Sequence, residues 1–169
     1  MIDIIKRHQT LLALLGFALF IVVVLPYEQA RLFAATGMST SPDTSFFYSA
    51  DTLYTLAGAY GEAGRSAYIA SRLRFDILWP LVYGLFFWTQ LKTRTPRLSI
   101  RLLPWLAVGF DLLENTLVSW VFYRYPQTTV LAHVAGVATL LKWTTLSLAV
   151  VFIVGFYGWA FKRVLGGKK

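Results

Sequence analysis

The chain has no cysteine, which excludes a disulfide framework, thiol chemistry and any cysteine-ligated metal. Histidine is nearly absent as well. His8 falls near one end of the first apolar segment and His133 near the opposite end of the last, too far apart in depth to share a haem or a zinc. Charge is scarce: Asp, Glu, Lys and Arg make up 14% of the chain, against roughly 25% in ordinary soluble domains. No Ser/His/Asp grouping resembles a catalytic triad, and the glycines of "GLFF", "VGF" and "LGG" are isolated, so there is no phosphate loop. Internal repeats are missing too.

What is present is apolar. Of 169 residues, 57% are hydrophobic and 17% aromatic, with a mean hydropathy of +0.58. At this length the chain reads as one integral membrane domain over residues 1–169. The net charge of +8 would suit nucleic acid, but the basic residues alternate with apolar spans. That is the positive-inside pattern, and nucleic acid is not an expected partner.

Four spans are predicted, at about 11–27, 67–90, 102–123 and 130–160. The first follows a basic start, as in a signal peptide, but "LPYEQARLF" offers no small-x-small cleavage site, so the span is read as retained. Residues 28–66 form an outer region. There "TGMSTSPDTS" reads as a loop, and "SADTLYTLAGAYG" as a short amphipathic helix on the membrane surface. Ser49 caps that helix, Asp51 suits its positive end, and Leu53, Leu56, Ala57 and Tyr60 form its apolar face. The fold class is therefore all-α: a four-helix transmembrane bundle plus a short outer amphipathic helix. Lys6, Arg7, Lys92, Arg94, Arg97, Arg101, Lys162, Arg163, Lys168 and Lys169 then share one side, which makes both termini cytoplasmic. Trp88, Trp105 and Trp159 fall near the inner interface; Trp120, Tyr123 and Tyr125 fall near the outer one.

Polar residues inside the spans are the exception that asks for a function. Asp111, Glu114 and Asn115 in "GFDLLENTL" stand at i, i+3 and i+4 and share a helix face. Counting away from the turn near Tyr125–Gln127, Asp111 comes level with Lys142, each roughly 20 Å from the turn at 1.5 Å per residue. Glu114 comes level with Thr139. Ala135, Ala138, Thr139, Lys142, Thr145 and Ala149 make a small, polar stripe that lets helices approach closely and turns Lys142 inward. The second span adds Asp76, with Arg72, Pro80 and Tyr83 on its face. Pro80 has no N–H for the carbonyl of residue 76, which must find another partner.

The plainer reading of these groups is a set of salt bridges, Asp111–Lys142 and Asp76–Arg72, that fixes helix register. The functional reading is a polar pocket. Its candidate catalytic residues are Asp111 and Glu114 as acid or base and Lys142 as the holder of negative charge. Its ligand-binding candidates are Arg65, Arg72, Asp76, Tyr83 and Asn115, with Arg65 and Arg72 at the mouth. A metal is not expected, because Lys142 competes with a cation at the same depth, and no cofactor is indicated.

"GEAGRSAY", Asp76, "PLVY", "DLLEN" and the following lysine resemble a loose group of small bacterial four-span membrane proteins. The likeness covers about Ser49 to Lys142. It implies a bacterial inner (plasma) membrane and carries no chemistry with it. The expected function is binding or processing of an amphiphile, such as a lipid, a quinone or an isoprenoid. The alternative is a non-catalytic accessory subunit of a larger membrane complex. Expected partners are membrane lipid, with other membrane subunits or a homo-oligomer.

Overall fold

The computed structural model describes residues 2–166, and side chains at 8–164 and 166. Lys168 and Lys169, and the side chains of Lys6 and Arg7, which entered the orientation argument, lie outside the described residues. Everything described is helix or connection, with no strand. Helix α1 (Ile2–Leu19) passes through a π turn, Phe20–Val24, into α2 (Leu25–Thr36), so these three pieces form one rod. Helices α3 (Ala50–Lys92), α4 (Leu98–Arg124) and α5 (Leu131–Gly166) supply the other three.

The first rod corrects the predicted end of the first span at residue 27. Pro26 reads as a stop, but the backbone stays helical through it, with the Leu25 N–H bonded five residues back to the Phe20 carbonyl. The π turn just before it absorbs the misfit. The helix ends nine residues later, where Gly37 adopts the left-handed cap at φ 68° and its N–H donates to the Phe33 carbonyl.

The predicted surface helix and second span are likewise one segment, broken only at Gly61, whose φ of 63° and ψ of 179° suit glycine alone. The Ser49 cap forms as expected, accepting from the Thr52 N–H at 3.2 Å. Leu53, Ala57 and Tyr60 are buried, but against α4 and α5. The helix thus closes one end of the bundle with the apolar face that was assigned to a membrane surface.

Three apolar layers run down the bundle. At the end closed by that helix, Leu53, Ala57 and Tyr60 meet Val118, Val121, Phe122, Ala132 and Ala135. In the middle, Tyr83 meets Ala107 and Val108, with Phe17 and Leu146 alongside. At the far end Leu91, Ile100 and Ala149 join. The order of residues in these layers makes α3, α4 and α5 alternate in direction. The small stripe on α5 is indeed its inner face: Ala135, Ala138, Thr139, Lys142 and Ala149 are all buried.

Two helical segments, His8–Thr36 and Leu131–Val164, are long and apolar enough to cross a membrane. Charged and polar residues dilute α3 and α4; Arg72, Asp76, Asp111, Glu114 and Asn115 among them are buried.

Candidate functional site

The polar residues of three helices and one loop converge. On α4, Asp111, Glu114 and Asn115 are all buried, as their shared face requires. The ammonium of Lys142 on α5 lies 3.6 Å from Asp111 Oδ1 and 2.5 Å from Glu114 Oε2. The equal-count register thus brought the right helices together, and the lysine settles closer to Glu114 than to Asp111. On α3, Arg72 pairs with Asp76 one turn later at 2.7 Å. The Tyr83 hydroxyl donates to Asp111 Oδ2 at 2.9 Å. Asn115 donates to the Asp76 carbonyl at 3.1 Å, which gives the acceptor freed by Pro80 its new partner. Its amide also reaches Asp111 Oδ1 at 3.3 Å, and its carbonyl oxygen accepts from Arg72 at 3.4 Å.

The loop supplies residues that the linear reading left outside. Asp43, in the 3-10 turn Pro42–Thr44, accepts from Arg72 at 2.9 Å and from the Ser41 hydroxyl. Its backbone carbonyl faces Lys142 at 3.5 Å. Burial would raise the pKa of Asp43, but Arg72 and Lys142 overcome that and hold it at about 2. Tyr48 donates to Glu114 Oε1 at 3.3 Å, and burial, reinforced by that carboxylate, pushes its hydroxyl upward, so it stays a donor. The loop is held in place by Tyr60, which donates to the Thr40 carbonyl at 2.6 Å. Gly136 on α5 completes the fit, since a Cβ there would collide with the Tyr48 carbonyl oxygen.

Beside this cluster lies a cavity of about 760 Å³. The α1–α2 rod forms one wall with Phe17, Ile21, Leu25 and Phe33, while Phe75, Trp79 and Trp143 line the wall opposite. Arg72, Asp76, Tyr83, Asp111, Lys142 and the loop's Asp43 give that opposite wall its charge. Glu114 and Asn115 do not line the space; they stand behind Lys142 and Asp76 and hold them.

Arg65 is not part of this site, contrary to its assignment at the mouth. It donates to the Ala57 carbonyl at 2.9 Å and its guanidinium stacks 4.6 Å from the centre of the Tyr125 ring. The break at Gly61 lets it fold back along its own helix instead of reaching toward Asp76. Arg72, also placed at the mouth, is in the centre, 4% exposed and cupped over Tyr68 at 4.2 Å. Asp43 and Tyr48 are the residues that sequence reasoning missed. The only hint of Asp43 was electrostatic: Arg72 and Lys142 both face inward, and a nearby loop carries an acid.

Among the described residues, no group of three or more His, Asp and Glu side chains is arranged to hold a metal ion. Chemically, the site can hold a polar head against charged donors and acceptors and a greasy body against rings. None of the family models, curated proteins or solved structures compared with the chain matches it, so its own geometry carries the reading.

Proposed function

We propose that the chain is a multi-pass protein of a bacterial inner membrane, with both termini cytoplasmic, that binds an amphiphilic small molecule in this cavity. The observation that carries the reading is the two-faced lining: the rings and aliphatic side chains of Phe17, Ile21, Leu25 and Phe33 on one wall, and five charged side chains among the rings of the other. Pockets of roughly 300–1,000 Å³ with a few convergent polar groups are the usual size and make-up of small-molecule sites. An ionised side chain at mid-membrane costs about 2.5–3.5 kcal/mol on insertion scales, and this cluster places several of them together next to open space.

The membrane part of the proposal draws on the two apolar rods and on where the aromatic residues sit. Lys92 on Trp88, Arg94 on Tyr157 and Arg163 on Trp159 pair at one end. Arg124 on Trp120 and Arg65 on Tyr125 pair at the other. Such basic–aromatic pairs suit the two headgroup layers. Because the chain has no cysteine, single cysteines introduced at the exposed Thr93 and Thr128 test this directly. Labelling by a membrane-impermeant maleimide from opposite sides is expected, and labelling from the same side would overturn the multi-pass arrangement.

For the ligand, the chain is extracted gently from its native membrane and weighed intact by native mass spectrometry. A bound small molecule, lost in Asp111→Asn, is the expected result. A stoichiometric protein partner with an empty cavity would replace this reading with that of an accessory subunit.

A further inference from the structure

The cavity's charges do not balance. Among the described residues, Asp43, Asp76, Asp111 and Glu114 form one connected cluster with only Arg72 and Lys142 to neutralise them. Glu28, the other acid on the lining, is matched by its own Arg31 at 3.4 Å and by Ser71 at 3.1 Å. Four carboxylates against two cations leave two negative charges without a counter-charge, in a place where an uncompensated ion is expensive.

The unmatched acceptors can be located. Both oxygens of Asp111 are taken, by Lys142, Asn115 and Tyr83. Asp76 is only 5% exposed, and while its Oδ2 meets Arg72, its Oδ1 has no partner. Asp76 lines the cavity, as does Asp43, whose Oδ2 is equally unpartnered. A buried carboxylate, Asp76, and a half-buried one, Asp43, thus each offer a free oxygen at the same space. The rings beside them, Phe75, Trp79, Tyr83 and Trp143, present the surface to which organic cations are attracted.

Resting on the amphiphile reading above, we infer that the head group this cavity takes is a protonated amine, so that the ligand is a long-chain amine. An ammonium supplies the missing positive charge and donates to the free oxygens of Asp76 and Asp43. A phosphate would add negative charge to a cluster that already has an excess, and a quinone carbonyl would bring an acceptor to acceptors.

The test uses the full chain in phosphatidylcholine nanodiscs and three probes that share one tail: hexadecylamine, hexadecanol and hexadecyl phosphate. Native mass spectrometry counts bound probe per chain, and thermal unfolding gives relative affinity. The amine is expected at one per chain, bound about tenfold or more tighter than either rival, which is the worth of one charge-assisted hydrogen bond. Asp76→Asn should weaken the amine by about the same factor and leave hexadecanol unchanged. If that variant does not fold, Asp43→Asn, on the loop, serves the same purpose. Hexadecanol binding as tightly as the amine would overturn the inference, because protons would then be meeting the charge excess. Preference for the phosphate would overturn it in favour of Arg72 and Lys142 as the recognition groups. Either result leaves the amphiphile reading standing, whereas failure of all three probes to bind overturns both.

Discussion

The two walls of the cavity are built on different physics. The wall of α3, α4, α5 and the Asp43 loop is a lattice in which every helix is tied to the next by a charged or polar contact: Arg72 to Asp43, Asn115 to the Asp76 carbonyl, Tyr83 to Asp111, Lys142 to Glu114. The α1–α2 wall packs chiefly on α3, through Phe17 and Phe20 stacked on Phe75, Trp79 and Phe86, with Phe87 edge-on to Phe17. Its polar fastenings include Gln9 with Lys92 at 3.2 Å and Glu28 with Ser71 at 3.1 Å. Charge is directional and fixes one wall in a single register. Dispersion is not directional, and in lipid, where tails compete for the same contacts, it holds the other wall weakly. A site made this way has a rigid polar end and an accommodating apolar side.

The comparison breaks most sharply at Lys142. Its removal leaves Asp111 and Glu114 buried without their cation, and Lys142→Ala is expected to cost about 3–5 kcal/mol. Adding Glu114→Gln should recover part of that loss, because the uncompensated charge goes with it. Reversible unfolding in mixed micelles measures both. A Lys142→Ala chain as stable as the parent would mean that the lattice does not hold this wall.

The second effect is pH dependence carried by Asp43. Its pKa falls from the ordinary 3.8 to about 2, so the folded state favours the ionised form. The corresponding stability is fully present above pH 3.8 and is lost as the pH falls through about 2. The difference between the parent and Asp43→Asn should therefore be constant, about 2 kcal/mol, at higher pH and shrink through that window. A difference independent of pH would show that the Asp43 contacts act by packing rather than by charge.

Much of the charged wall was legible because helices obey simple counts. Asp111, Glu114 and Asn115 had to share a face, the small stripe on α5 had to point inward with Lys142, and Pro80 had to free the carbonyl that Asn115 now binds. The loop was not legible, since "STSPDTS" has the composition of a solvent loop and nothing local says that it turns inward. Arg65 misled because its position above Asp76 does not say which way a long side chain turns, and it turns back toward the Ala57 carbonyl and the Tyr125 ring. The first rod was underestimated because Pro26 and the polar "EQAR" look like an ending, and a π turn is invisible to hydropathy.

The loop's place on the rigid wall also rests on one close approach. Gly136→Ala sets a methyl group against the Tyr48 carbonyl, and overpacking of this kind costs typically about 1–3 kcal/mol. If the loop belongs to the lattice, the strain should also loosen Asp43, which hydrogen exchange at residues 41–48 would register. Unchanged exchange there would detach the loop from the charged wall.

The smallest effect is expected on the other side. Phe17 stacks on Phe86 at 4.4 Å and on Trp79 at 5.7 Å and lines the cavity. In a water-surrounded core Phe→Ala costs about 3–5 kcal/mol, because a void opens and apolar area returns to water. In the membrane proposed above, a lipid tail can enter the space that Phe17 leaves, so what disappears is mainly the ring pairing, worth about 0.5–1.5 kcal/mol. Phe17→Ala should therefore barely move the unfolding midpoint and should widen the range of tails the cavity accepts, read as a flatter dependence of binding on chain length. A loss of core size would make the α1–α2 wall as fixed as its opposite, and the division between a polar end that recognises and an apolar side that accommodates would no longer hold.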